Sequence, residues 1–297
     1  MTTSNISHQT PIASKSIQET LRQYPLISFF VLAYAISWVL SIPAVLAEWN
    51  VLPNSVFIIF FTIKSFGPFL AAYIMTRVLD GREGWRNLRS SVKNFRVGWQ
   101  WYAFTLLAIP ALLLVAVLIL PGALESFQGF PVNFPMVYLV NFLLIFFGGG
   151  ALGEEPGWRG FALPRMQAHF GAFRATLLLG VLWTFWHLPD FLTIAQGGGP
   201  EVGLSPFYTR LPIFFLMVVS LAFVFTWVYN RTSGSLLMAL LLHASLNTFG
   251  IVLPLFSAPI VTSTDIVPLM GFVSLAALIL FLTRGQLGYD QPDQNPL

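Results

Sequence analysis

The stretch "FLLIFFGGGALGEEPGWRGF", residues 142–161, decides how the rest of the chain is read. Its second half alone, with two carboxylates, a proline, glycines and an arginine, reads as a cytosolic turn. Its first half is apolar enough to lie in lipid, so the pair poses the question of why adjacent glutamates stand at the end of, or inside, a greasy helix. Composition answers for the whole chain. Of 297 residues, 56% are hydrophobic and 9% charged, against about 25% charged in a soluble domain. Runs of about 20 apolar residues, the length that crosses a hydrocarbon core, recur down the sequence. Eight are expected, at 25–47, 55–79, 100–121, 135–153, 174–194, 210–230, 234–254 and 262–283. The fold class is therefore all-α, a polytopic transmembrane helical bundle.

Charge supplies an independent test of that count, because Lys and Arg accumulate in cytoplasmic loops. With both termini cytoplasmic, thirteen of the fifteen Lys and Arg fall on the inner side; Arg210 is outside and Lys64 lies within the second span. The net charge of +3 thus reports topology, and no nucleic-acid partner is expected. The absence of cysteine excludes disulfides, thiolate zinc sites, thiol catalysis and lipidation on sulfur. Residues 1–22 and 285–297 read as disordered cytoplasmic tails flanking one domain, 23–284. The segment 81–99, with Trp85, Leu88, Val92, Phe95 and Trp99 at helical spacing between basic residues, reads as a helix lying on anionic headgroups. The Gly148–Gly150 run is expected to loosen the backbone or let helices approach closely.

Ionisable groups inside a span cost a few kcal/mol each, about 2.5–3.5 on insertion scales, so each is a functional candidate. Four clusters qualify: Glu154, Glu155 and Arg159; His187; His243 with Asn247; and Lys64. His243 and Asn247 are four apart, on one helical face. At 1.5 Å per residue, His243 lies about 14 Å deep, and Asn247 and His187 about 20 Å deep. Glu154 should be shallow at the cytoplasmic end of its span, unless that helix tilts or runs on to about 168; Pro156 argues for a kink or a new helix start there. Glu155 can pair with Arg159 at i, i+4, which leaves Glu154 the freer carboxylate. A desolvated glutamate suits a general base acting on water, His187 could share that water, and His243 and Asn247 could donate to the oxyanion of an attacked peptide carbonyl. Lys64 is assigned to snorkelling or to a structural ion pair.

At these residues the chain resembles the CPBP family of intramembrane proteases (CAAX protease and bacteriocin-processing, or Abi), in its bacterial branch. Glu-Glu-x-x-x-Arg is met by Glu154, Glu155 and Arg159; Phe-x-x-x-His by His187, with Trp183 in the aromatic place; and His-x-x-x-Asn by His243 and Asn247. The resemblance implies a membrane endopeptidase in the cell membrane, with Glu154 as base, His187 holding the water and His243 with Asn247 as oxyanion hole. Glu155, Arg159 and Trp183 take supporting places. Its members are described as metalloproteases and as glutamate proteases; Glu154, His187 and His243 would be the ligands of a divalent metal such as zinc, and metal-free chemistry is the expectation here. The expected partners are a peptide substrate at the membrane and the bilayer itself. Two other readings stay open: a catalytically silent immunity factor or scaffold on the same fold, and a proton- or ion-coupled transporter.

Overall fold

The apolar runs become largely helix over their described residues in the computed structural model, which describes residues 16–257 and 266–290. In chain order the principal helices are α1 (Ile17–Gln23), α2 (Pro25–Glu48), α3 (Ser55–Ile63), α4 (Gly67–Leu79), α5 (Gly81–Val92) and α6 (Trp99–Leu118). There follow α7 (Phe134–Phe147), α8 (Gly150–Glu155), α9 (Leu163–Trp186), α10 (Leu211–Arg231), α11 (Leu236–Thr248) and α12 (Ile266–Thr283). Among the described residues, six helical runs are long and apolar enough to cross a membrane; the 59-residue run Phe134–Leu192 holds two of the expected spans, and Pro268–Thr283 is a shorter apolar helix. The chain is a multi-pass helical bundle.

The fourth span differs from the expected 135–153 in a way that matters. Gly149, at φ 150°, breaks it between α7 and α8, which is the loosening expected of the glycine run. The helix then carries on through Pro156 instead of ending there. Proline cannot donate to the carbonyl four residues back and its ring crowds it, and the chain accommodates this by widening to a π-helical stretch over Pro156–Ala162. It turns back only at Gly171, whose φ of 72° and ψ of 169° interrupt α9 and favour a residue without Cβ. The glutamates therefore sit mid-run, packed against the start of α4. A Cβ at Gly153 would stand 2.6 Å from the carbonyl oxygen of Ser65, and one at Gly157 2.6 Å from that of Pro68, so the two glycines are what permit the approach.

α2 lies along α4, α9 along α10, α10 along α12, and α11 against α7 and α8. One large apolar core runs through these contacts, and a smaller cluster of Ala151, Leu240 and Ala244 joins α8 to α11. Arg165 Nη2 meets Asp80 Oδ2 at 2.7 Å, linking the regions after α4 and before Gly171 that the charge pattern puts on one side.

Three expectations at the edges are corrected. Of the tail 1–22, residues 1–15 lie outside the described residues, but the remainder leads into a helix: Ser16 Oγ accepts from the Glu19 N–H and Glu19 Oε2 from the Ser16 N–H, a capping box that satisfies free donors at a helix start. Of the tail 285–297, residues 291–297 lie outside the described residues, whereas Leu287 is buried and its carbonyl accepts from Asn230 Nδ2 at 3.1 Å. The basic helix stops at Val92, short of 99. Trp85 packs on Phe69 and Tyr73 and Leu88 on the core, while Phe95 and Trp99 stay exposed.

Candidate active site

Glu154 and Glu155 close α8, one residue before the widened turn. They are 5% and 0% exposed, and of the two placements left open the helix takes the one that runs on past Pro156. Successive helical residues diverge by about 100°, and the two carboxylates accordingly enter different surroundings.

Glu155 points into a sealed charged cluster. Its Oε1 accepts from Arg159 Nη1 at 3.1 Å, the i, i+4 pair expected from spacing, and also from His243 Nδ1 at 2.7 Å. The Arg159 guanidinium, fully buried, lies 4.2 Å from the ring centroid of Trp183 and 4.3 Å from that of Phe225. Glu155 Oε2 and Arg159 Nε and Nη2 are buried without a hydrogen-bond partner. Because a carboxylate accepts, the proton lies on His243 Nδ1, and Nε2 carries a second one only in the imidazolium.

Glu154 meets two indoles. Trp183 Nε1 donates to its Oε2 at 2.8 Å and Trp158 Nε1 to the same atom at 3.3 Å; Oε1 has no hydrogen bond among the described residues. Trp183 thus does more than the packing expected of an aromatic residue, and a phenylalanine there would lack the N–H. Its backbone carbonyl also accepts from His187 Nδ1 at 2.8 Å. That bond puts the ring proton on Nδ1 and leaves Nε2 of a neutral imidazole as an acceptor. The Trp183 ring lies 6.1 Å from both imidazoles, His187 and His243.

Glu154, His187 and Asn247 line one cavity of about 510 Å³, with Lys64, Ser65, Trp186 and Asp190 in the same wall. That volume falls in the range of about 300–1,000 Å³ typical of ligand sites. Asn247 is exposed to it, and its Nδ2 lies 3.6 Å from where a Cβ of Gly150 would stand. His243, one turn earlier on α11, is buried against Glu155 and does not line this cavity, so the two residues expected to address one point do so only in part. Among the described residues no group of three or more His, Asp and Glu is placed to hold a metal ion, so Glu154, His187 and His243 are not assembled as a ligand set.

Two participants were not singled out from sequence. Trp158 bonds Glu154 from four residues on, the same spacing that marks the Glu155–Arg159 pair. Asp190 carries the ion pair of Lys64, both residues being 5% exposed. Here too a signal existed, since a lysine within a span needs a counter-ion and an aspartate stands three residues after His187.

Residues 132–249, which contain all of these motif residues, match the Rce1-like family, described as Type II CAAX prenyl endopeptidase Rce1-like. The chain is also similar to a CAAX prenyl protease 2 of Methanococcus maripaludis, at 22% identity over 260 residues, covering 85% of this chain and 92% of that protein.

Proposed function

We propose a mechanism for this chain as a CPBP-family membrane protease, a CAAX-type endopeptidase, in which Glu154 activates the water that cuts a peptide bond. The observation that carries it is the cavity shared by Glu154, His187 and Asn247. A water there can donate to Glu154 Oε1 and to His187 Nε2, the two acceptors left over when the other atoms of those groups are bonded. Glu154 takes the water proton as the oxygen attacks the carbonyl carbon, and the proton then passes to the leaving amine as the C–N bond breaks. The negative oxygen of the intermediate accepts from Asn247 Nδ2–H. His243, held by Glu155 through Nδ1 one turn earlier on α11, backs Asn247 from outside the cavity and donates nothing to the oxyanion in this scheme.

The reading needs no metal ion. The domain that acts is 23–284, placed in the bacterial plasma membrane and opening towards the cytoplasmic leaflet. Its substrates are peptides held at that membrane, with prenylated C-terminal segments the class suggested by the relative's name. The test is cleavage of a quenched fluorescent peptide ending in a prenylated Cys-aliphatic-aliphatic-X sequence, by purified wild type and by Glu154→Gln. Wild-type cleavage that vanishes in the variant is expected. Equal activity in both would overturn the assignment of the base. A companion proteomic comparison of cells carrying each form reads out substrates of other sequence as uncut membrane peptides that accumulate in the variant. If the variant cells match wild type there and the peptide stays whole with both, the protein acts as a scaffold.

A further inference from the structure

The buried Lys64–Asp190 pair joins two helix breaks across the cavity. On one side α3 ends at Ile63, a short 3₁₀ turn covers Lys64–Phe66, and α4 begins at Gly67. The Lys64 carbonyl would find its α-helical donor at residue 68, but Pro68 has no N–H; the Gly67 N–H donates to it in the tighter 3₁₀ turn, and Ser37 Oγ donates as well at 2.8 Å. On the other side α9 ends at Trp186, His187 caps it, and a 3₁₀ turn follows over Leu188–Leu192, in which the Asp190 N–H donates to the His187 carbonyl at 2.8 Å. The Lys64 ammonium lies 5.1 Å from the centroid of Trp186, whose ring meets that of His187 at 4.6 Å, edge on.

A buried ion pair is a weak source of stability, since desolvation offsets most of the attraction, and the backbone here has other supports. Trp38 Nε1 donates to the Trp186 carbonyl at 3.0 Å and Trp49 Nε1 to that of Leu192 at 2.9 Å. What those bonds leave unfixed is the Asp190 side chain, three residues after the cavity-lining His187, and Lys64 ties it to the opposite helix break. The geometry points to Lys64 and Asp190 as positioning residues that hold His187 in register with Glu154 for the hydrolytic step. The inference rests on the hydrolytic reading above and adds to it a pair outside the three motifs.

The test is the double variant Lys64→Met/Asp190→Leu, which replaces both charges by apolar groups of similar size. Its thermal midpoint in detergent should match or exceed that of wild type. On the prenylated peptide, kcat should fall about 10- to 100-fold, as a displacement of about 1 Å can cause, with KM unchanged. Lys64→Arg, which keeps the pair, should recover most of kcat. Independently of any substrate, the rate at which diethylpyrocarbonate modifies His187, followed by mass spectrometry, should change severalfold in the double variant. Wild-type kcat together with wild-type labelling in a stable double variant would overturn the proposal. Should that variant not fold, Lys64→Gln/Asp190→Asn is read in the same way. If Glu154→Gln cuts the peptide as wild type does, the hydrolytic reading fails, whereas the labelling still decides whether the pair places His187.

Discussion

Glu154 and Glu155 are adjacent in the chain, yet Trp183 separates the regions they serve. Behind its ring, Glu155, Arg159 and His243 form a closed cluster in which one carboxylate oxygen satisfies two cations or donors and aromatic faces cover the guanidinium. In front, Glu154 keeps one oxygen unbonded beside a cavity that also receives His187 and Asn247. The first region spends its charges on each other and the second leaves them available. The same residue type is thus structural or chemical according to what its remaining lone pairs meet, and burial alone does not distinguish the two.

That contrast can be broken by substitution. The largest effect belongs to Glu154→Gln, which retains an oxygen to accept the indole N–H groups but cannot take a proton; peptide cleavage should drop by about 10²–10⁴, the contribution of a general base, while the thermal midpoint holds. Glu155→Ala should do the opposite. It strands Arg159 without its partner inside the bundle, a loss of about 3–5 kcal/mol, seen as a lower unfolding midpoint before any kinetic measurement. Asn247→Ala removes the donor proposed for the oxyanion and should lower kcat about 10²–10³-fold with stability unchanged. If His243→Ala proves kinetically worse than Asn247→Ala at equal stability, the cluster behind Trp183 takes a more direct part than its burial suggests. Trp183→Phe keeps the aromatic contacts but deletes the 2.8 Å bond to Glu154; a hydrogen bond to a charged group is worth about 1.5–3 kcal/mol, which sets the upper bound on the loss of kcat/KM. Dialysis against EDTA should leave kcat/KM where it was, and a loss restored by zinc would replace the metal-free scheme.

Much of this was legible from residues alone. The apolar runs, the placement of thirteen basic residues and the three motifs led to the bundle and to Glu154, His187, His243 and Asn247. The i, i+4 spacing gave the Glu155–Arg159 pair that the structure contains. Less legible was the depth of the glutamates, because a proline is an ambiguous signal: it can end a helix or widen one, and the packing of Gly153 and Gly157 on α4 goes with the second. Lys64 announced that it needed a partner without saying which, as Asp190 lies 126 residues away in sequence.

Hydropathy and charge are summed locally, span by span, so the sequence by itself determined that this chain crosses the membrane many times and which polar groups it carries there. Which of those groups touch is set by helix breaks at Gly149 and Gly171, by the widened stretch from Pro156 between them, and by side chains arriving from helices remote in sequence. Only the tertiary structure could decide that one glutamate would be locked to arginine and histidine while its neighbour was left with an oxygen to use.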